Sequence, residues 1–264
     1  MDSKVSELAR TFRDARRVVF VCGAGMSVAS GVRAYRSGPG AIWSEMVLEW
    51  GTFQKFTDDP AAWWREFWLK AHGDVLKLEH EVKPNAGHAA LVAFMAKSAQ
   101  HLVVTQNIDG LHRRAGHPEG QLIEIHGRHD RFICASGGGC EGVDHPVDRV
   151  DLSGVDAGRF PRCPRCDAPM RPNVLLFDEA YDSHPAFQAH RARKALNDAD
   201  VLAFVGTSFS VGITSYAVHC AQVSGATVVN VNVERAPFET VGGGGSEVLN
   251  VLGRAEELLP ALLA

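Results

Sequence analysis

Amide and acid side chains follow a short apolar stretch in the segment "HLVVTQNIDGLH" at residues 101–112. Gln106, Asn107 and Asp109 come directly after Thr105, and together they offer more hydrogen-bonding groups than a turn requires. Open α/β sheets bind their ligands at the ends of the strands. The segment therefore predicts a ligand-binding loop at the end of a buried strand.

A glycine-rich segment, "GAGMSVASG", follows another apolar run at 17–22. Glycines at a strand-to-helix turn let a pyrophosphate approach the backbone and the helix N-terminus. Gly23 and Gly25 fit the G-x-G-x-x-G pattern, but Val28 replaces its third glycine and the acid expected about 20 residues later is missing. Non-classical phosphate binding and a plain tight turn both stay open as interpretations.

Two more strand ends carry polar residues. In "GTSFSVG" at 206–212, hydroxyls and backbone amides suit a ribose or phosphate, although Thr207 or Ser208 could instead cap a helix. In "NVNVE" at 230–234, Asn232 could contact an adenosine ribose or form an Asx turn. Together with residues 105–109, these strand ends carry more polar side chains than turns alone require. They favour one shared binding site.

One histidine also follows an apolar run, His126 in "EIHGRHD". A lone histidine is more often structural than catalytic, but a position among polar strand ends favours chemistry. Its ordinary pKa of about 6.5 suits a general base at neutral pH. His129 is the competing candidate for the same role.

Four of the six cysteines fall in a short part of the chain and form two pairs, C-x5-C and C-x2-C. Thiolates in two such pairs suit a tetrahedral, structural Zn²⁺, and the pairs consist of Cys134, Cys140, Cys163 and Cys166. The alternative is a ribbon that has lost its metal. Cys22 and Cys220 lie in apolar surroundings, where a buried, inert thiol is expected.

Apolar strands alternate with helical patterns along the chain, which predicts a doubly wound, parallel, Rossmann-like sheet. Strands are predicted at 17–22, 102–105, 121–125, 173–177, 201–206 and 227–233, and helices at 3–15, 85–99, 183–197, 211–223 and 254–263. Two regions break this alternation. They predict a helical insertion with a cofactor loop at 33–75, a zinc ribbon at 129–170, and a nucleotide-binding domain at 1–32, 76–128 and 171–264.

The composition of the 264-residue chain is that of a globular protein, with 45% apolar and 22% charged residues and a net charge of −4. This balance argues against a nucleic-acid-binding surface, which needs many phosphate-neutralising side chains. The N-terminus lacks the apolar region of a signal peptide, and no stretch is apolar enough to span a membrane. A reducing, cytoplasmic setting is therefore expected.

The motifs together resemble the sirtuins of bacterial type, a family of NAD-dependent protein deacylases. "GAGMSVASGVRAYR", "KPNAGHAAL", "TQNIDGLHRRAG", "IHG", the cysteine pairs, "RPNVLLFDE", "GTSFSV", "NVNVE" and "GRAEELLPAL" follow the family's order over nearly the whole chain. The resemblance implies that NAD is the co-substrate and an acyl-lysine peptide the substrate. The products would be free lysine, nicotinamide and O-acyl-ADP-ribose.

The resemblance also implies roles for individual residues. Gln106 would hold the nicotinamide ribose, and Asn107 and Asp109 would line the pocket that nicotinamide leaves. His126 would act after that departure, by taking a proton from a ribose hydroxyl. The rest of NAD would lie against Gly23, Ala24, Gly25, Ser27, Tyr35, Arg36, Gly206, Thr207, Ser208, Asn232 and Ala255.

The substrate peptide would pair as a strand with Val174, Leu175 and Phe177. Just beyond them, "FDE" replaces the family's "FGE", so Asp178 stands at a glycine position. Phe67 and Lys70 align with residues that select succinyl groups in some family members. Because this pair lacks a phenol hydroxyl and a guanidinium, we expect acetyl or longer apolar acyl groups to be preferred. Alternatively, Phe67 is a core residue and Lys70 a solvated charge.

Two other functions stay open at this point. An ADP-ribosyltransferase or NAD glycohydrolase on the same scaffold would consume NAD without a peptide-dependent deacylation. A non-catalytic module that binds NAD or zinc would consume none. The complete set of polar strand ends argues against the module, and His126 favours deacylation over the other NAD-consuming reactions.

Overall fold

A computed structural model describes residues 3–33, 45–72, 82–136, 140, 144–146, 150–155, 157–241 and 246–264. Its strands are β1 (Val18–Cys22), β2 (Leu102–Thr105), β3 (Leu122–Glu124), β4 (Gly127–Cys134), β5 (Asp144–Pro146), β6 (Met170–Val174), β7 (Val201–Val205), β8 (Thr227–Asn232), β9 (Thr240–Val241), β10 (Ser246–Glu247) and β11 (Leu249–Leu252). Its α-helices are α1 (Ser3–Asp14), α2 (Glu45–Trp50), α3 (Phe53–Asp58), α4 (Pro60–Ala62), α5 (Ala86–Met95), α6 (Leu111–Arg114), α7 (Ala189–Asp198), α8 (Gly212–Ser224) and α9 (Ala255–Leu262). A π-helical segment, Trp63–Trp68, follows α4.

The main sheet has six strands in the order β11-β8-β7-β1-β2-β3, and every neighbouring pair is parallel. The predicted doubly wound parallel sheet is thus confirmed. The chain starts at the centre, builds outward through β2 and β3, and then returns to build the other half from β7. The direction reverses between β1 and β7, which is where such sheets bind ligands.

Helices cover both faces of this sheet, and this explains the near-continuous apolar strands. Alternate residues of β1 enter two separate cores. Phe20 packs with α1, α5 and α9, whereas Val19 and Val21 pack with α7 and α8. A strand that is buried on both sides has no solvent-facing position for a polar residue.

A smaller unit stands beside the main sheet. Strand β4 pairs antiparallel with β5 and β6, and the core of this unit joins residues of 45–72 to residues of 132–176. Trp64 connects the two parts, because its ring stacks on Phe132 at 5.9 Å and its indole N–H donates to the Met170 carbonyl at 3.0 Å. The tryptophan-rich segment and the cysteine-rich segment therefore fold together.

Two predicted elements differ in the structure. The strand expected at 173–177 spans Met170–Val174 and pairs with β4, so it lies in the small sheet and not in the main one. The helix expected from residue 183 begins at Ala189, because Gln188 adopts a left-handed φ of 50° that separates it from a short 3-10 turn. The division of the chain into domains stays a prediction.

Strand β11 and the small β9–β10 hairpin were not predicted. The side chains of β11 are exposed or half-buried, so this edge strand lacks the continuous apolar run of the central strands. In the described part of the chain, no helix is long and apolar enough to cross a membrane.

Candidate active site

The turns after β1 and β7 interlock at the point where the sheet order reverses. The Gly23 amide donates to the Val205 carbonyl at 2.9 Å, and the Gly25 amide donates to the Gly206 carbonyl at 2.8 Å. A Cβ atom on Gly23 would lie 2.7 Å from the Gly206 oxygen, and Gly206 itself has a φ of 57°. Glycine is required here because the two backbones touch. The glycines thus let the two turns pack backbone against backbone at the edge of the sheet.

Behind the first turn, three predicted residues form one buried network. The Ser27 hydroxyl donates to Asp109 Oδ2 at 2.6 Å, and Asn107 Nδ2 donates to the Gly23 carbonyl at 3.0 Å. Asn107 Nδ2 also lies 3.2 Å from Ser27 Oγ. The network fixes the amide of Asn107 and the carboxylate of Asp109 beside the glycine turn, as the sequence predicted for a shared site.

A second chain of hydrogen bonds joins the ends of β2, β7 and β8. Gln106 Nε2 donates to Thr207 Oγ1 at 3.2 Å, and Asn232 Nδ2 donates to the Thr207 carbonyl at 2.8 Å. Ser208 is exposed next to them. Strand ends that are distant in the sequence therefore meet along one edge of the sheet.

Asn85 supports this edge, although no individual role was predicted for it. Its Nδ2 donates to the Met26 carbonyl at 2.9 Å and to Ser30 Oγ at 3.1 Å. Its Oδ1 caps helix α5 by accepting from the backbone of Gly87 and His88. An Asn followed three residues later by a partner that closes a capping box is the signal that could have identified it.

His126 follows β3 at the same edge and is half-buried. Burial lowers the pKa of its imidazole to about 4, and a hydrogen bond with the Gln106 backbone opposes part of that shift. The imidazole is therefore neutral at physiological pH and able to accept a proton. Its backbone carbonyl accepts from the Leu175 amide at 2.9 Å, so His126 also connects the main sheet to the end of β6.

The competing candidate, His129, has a structural position. It is buried, and its Nδ1 and its backbone amide both bond to the Ile108 carbonyl. These contacts hold the loop that carries Asn107 and Asp109. His129 thus supports the polar loop, while His126 stands at its open side.

The four predicted metal ligands form a cluster in the small unit. Their sulfur atoms all lie within 4.8 Å of one another, with Cys134–Cys166 and Cys140–Cys163 separations of 3.4 Å each. A backbone hydrogen bond at Ala168 lowers the pKa of the Cys166 thiol to about 7 and so favours the thiolate that binds metal. The predicted cluster is confirmed, and four thiol donors at this spacing fit a structural zinc ion.

The predicted substrate segment joins the two units. Val174 ends β6 and pairs with Gly127, and the amide of Leu175, just beyond the strand, donates to the His126 carbonyl. The Phe177 amide donates to the Gly51 carbonyl at 3.0 Å. The ring of Phe177 is exposed, unlike that of most large apolar residues in the chain. Asp178 bonds to the start of α3, through the amides of Phe53 at 2.6 Å and Gln54 at 3.0 Å.

Phe67 and Lys70 are placed differently. The Phe67 ring is buried among Trp63, Trp68 and His72. The Lys70 ammonium is more than half exposed and pairs with Glu66. These positions match the alternative of a core aromatic and a surface charge, and a role in acyl selection stays a prediction.

The remaining predicted cofactor residues fall into two groups. Ala24 lies in the 3-10 turn after β1, and Ala255 begins helix α9, where its carbonyl approaches Gly87. Tyr35 and Arg36 lie outside the described residues. Their predicted contacts with NAD stay predictions.

Comparison with known proteins identifies the family. A model of the Sir2 family matches residues 23–212, which include both glycine turns, His126 and the four cysteines. The chain belongs to the Sir2 family. Among Sir2 relatives, NAD-dependent deacetylase sir2E of Dictyostelium discoideum is 35% identical, over 97% of this chain and 75% of its own length. NAD-dependent protein deacylase 2 of Pyrobaculum aerophilum is 34% identical, over 97% and 93%.

Solved Sir2 structures share the fold. A Sir2 complex with a p53 peptide and NAD⁺ has a TM-score of 0.77 and 27% identity, and the match covers 97% of this chain and 95% of that one. A Sir2 variant with a deacetylated p53 peptide and 3′-O-acetyl ADP-ribose has a TM-score of 0.81 and 25% identity, over 98% and 97%. The glycine turns and the Ser27–Asn107–Asp109 network of this chain lie at the strand ends, where such sheets bind a dinucleotide.

Proposed function

We propose that this Sir2-family protein is an NAD-dependent protein-lysine deacylase that releases free lysine, nicotinamide and O-acyl-ADP-ribose. The observation that carries the proposal is His126. A neutral imidazole stands at the strand edge where the interlocked glycine turns and the polar loop meet. A scaffold that only bound NAD would not need a proton acceptor at this position.

NAD, when bound, supplies the ADP-ribosyl group that receives the acyl group, with nicotinamide as the leaving group. The glycine turns would lie beside the phosphates, because Gly23 and Gly25 carry no Cβ. Asn107 and Asp109, fixed by Ser27, would orient the nicotinamide end, and Gln106 and Asn232 would contact the riboses. His126 would accept a proton from a ribose hydroxyl, and positioning would provide the rest of the catalysis.

The zinc ion is assigned a structural role. Four cysteine ligands complete a tetrahedral site and leave no open position for a substrate. The cluster lies at the far end of β4 from Gly127, so the metal holds the small sheet together while the chemistry takes place at the main sheet.

The proposed partner is an acyl-lysine peptide that pairs with Val174, Leu175 and Phe177. We propose no nucleic-acid or membrane partner, because the chain has a net charge of −4 and no basic block. A reducing location such as the cytoplasm is proposed because four of the six cysteines form the proposed zinc site, and Cys22 and Cys220 are buried thiols outside any disulfide.

The decisive experiment incubates the protein with NAD, with and without an acetyl-lysine peptide, and measures nicotinamide and deacylated peptide. A deacylase releases nicotinamide only when the peptide is present. An NAD glycohydrolase or ADP-ribosyltransferase releases it without the peptide, and a non-catalytic module releases none. Either of the last two results would overturn the proposal.

A further inference from the structure

Tyr181 contacts His126, although it is absent from every motif in the sequence. The two rings stack with centroids 5.9 Å apart and planes at 19°, and the Tyr181 hydroxyl lies 3.5 Å from His126 Nε2. Tyr181 follows the predicted substrate segment, whereas His126 follows β3. The contact therefore connects the predicted substrate segment to the predicted base.

The hydroxyl of Tyr181 is itself held in place. It accepts a hydrogen bond from the Ile213 amide at 3.1 Å, at the start of α8. The hydroxyl keeps its proton and a second lone pair, so it donates to His126 Nε2 when that nitrogen is unprotonated. A hydrogen bond with the Gln106 backbone holds the imidazole as well.

A cavity adjoins the Tyr181 ring, so the hydrogen bond of its hydroxyl matters for the position of the ring. A space of ≈ 210 Å³ is lined by Ile125, Ala189, Gly212, Ile213, Tyr216 and Tyr181 itself. The Tyr181 ring is therefore not enclosed by close packing on that side. Without the bond from Ile213, the ring could rotate into the cavity and leave His126 without its stacking partner.

We propose that Tyr181 is a positioning residue for His126, which fixes the plane of the imidazole by stacking on it and keeps Nε2 unprotonated. The proposal rests on the proposed deacylase function. It goes beyond that function because it names a residue outside the motifs, which acts through the base and not on the substrate.

Tyr181→Phe is the test, because it removes the hydroxyl and keeps the ring. The two steps of the reaction are measured separately, as peptide-dependent nicotinamide exchange and as single-turnover release of deacylated peptide. We expect deacylation to slow about tenfold through misplacement of the base. Nicotinamide exchange, which precedes the action of His126, should change by less than about twofold.

Tyr216→Phe is the matched control. Tyr216 lines the same cavity, but its hydroxyl accepts from Asn197 Nδ2 at 2.8 Å. It should leave both steps unchanged. An equal fall in both steps for Tyr181→Phe would mean a merely structural role, and no change in either would also overturn the proposal.

Nitrogen NMR of the His126 ring gives a readout that does not depend on activity. The wild-type ring should show one tautomer with Nε2 unprotonated, and Tyr181→Phe should show a mixture. A single unchanged tautomer in the variant would contradict the proposal. Wild-type protein that lacks peptide-dependent nicotinamide release would instead contradict the proposed function, whatever the NMR result.

Discussion

Two histidines only three positions apart have different surroundings, and these surroundings decide their roles. His129 lies among buried groups and bonds to the Ile108 carbonyl, so it holds the loop in place. His126 follows β3 and is half-buried, and burial lowers its pKa to about 4, while its Nε2 lies 3.5 Å from the Tyr181 hydroxyl. Only the second position allows a proton to be taken from a substrate.

Replacing His126 with Ala should abolish most of the deacylation while NAD still binds. Loss of a general base typically slows a reaction about 10²–10⁴-fold. Single-turnover deacylation measures the first effect and NAD titration the second. A loss of less than about tenfold would move the role of base to another group, with His129 as the first alternative.

At the level of elements, the segment after β6 is held by the small unit. The Phe177 amide donates to the Gly51 carbonyl, and the Asp178 carboxylate accepts from the first two amides of α3. A carboxylate at a helix N-terminus satisfies free amides and interacts favourably with the helix dipole. Asp178, which differs from the family's glycine, therefore fixes the proposed peptide-binding segment to α3.

Asp178→Ala should lower stability by about 1 kcal/mol, as loss of a helix cap does. It should also raise the KM for the peptide and leave the KM for NAD unchanged, because only the peptide-binding segment loses an anchor. Thermal unfolding and steady-state kinetics measure these effects. Asp58→Ala, at the other end of α3, is the control and should have little effect on either KM. Unchanged stability and peptide KM in Asp178→Ala would refute the anchoring role.

The cysteine cluster joins the end of β4 to the segment that precedes β6. Cys134 ends β4, Cys140 follows in the same connection, and Cys163 and Cys166 precede β6. Because the unfolded chain has no preformed site, zinc binding contributes directly to folding.

Cys163→Ser should therefore release zinc and lower the melting temperature. Zinc content per chain and thermal unfolding provide the measurements. Cys220→Ser, which changes a buried thiol in α8 outside the cluster, should keep its zinc. Full zinc content in Cys163→Ser would show that this thiol is not a ligand.

Over the whole molecule, several histidines are buried in neutral form. Burial lowers the pKa of His72 to about 3 and the pKa values of His88 and His117 to about 4. Burial also lowers the pKa of His112, which packs between His88 and His117. As the pH falls, these histidines bind protons in the unfolded chain before they do so in the folded protein, because their pKa in the unfolded chain has the ordinary value of about 6.5.

Stability should therefore be fully present above about pH 6.5 and should fall as the pH drops toward the folded pKa values. A histidine with a folded pKa of about 4, such as His117, costs about 2 kcal/mol at about pH 5. Urea unfolding between pH 7 and pH 5 measures the slope. His117→Asn should reduce it, whereas a change at the exposed His219 should not. Equal slopes for wild type and His117→Asn would contradict this account.

The sequence by itself determined the features that depend on local pattern. The continuous apolar run of β1 predicts a strand that is covered on both faces. The spacing of Cys163 and Cys166 predicts a metal site, because two thiolates in one turn can bind the same ion. The polar residues after β2 and β7 predict a shared site, because parallel strands end at the same edge. The family motifs then assign roles to these positions.

Only the tertiary structure decided which distant residues meet. Tyr181 stacks on His126 across 55 positions, and Asp178 bonds to α3 across 124 and 125 positions. The strand predicted at 173–177 likewise joined the small sheet at Met170–Val174, although its apolar residues would suit either sheet. The periodicity of apolar residues indicates that one face of a helix or strand is buried. It does not indicate which element covers that face, because the same apolar or polar group can contact many different partners. The partner is chosen when all the elements pack together.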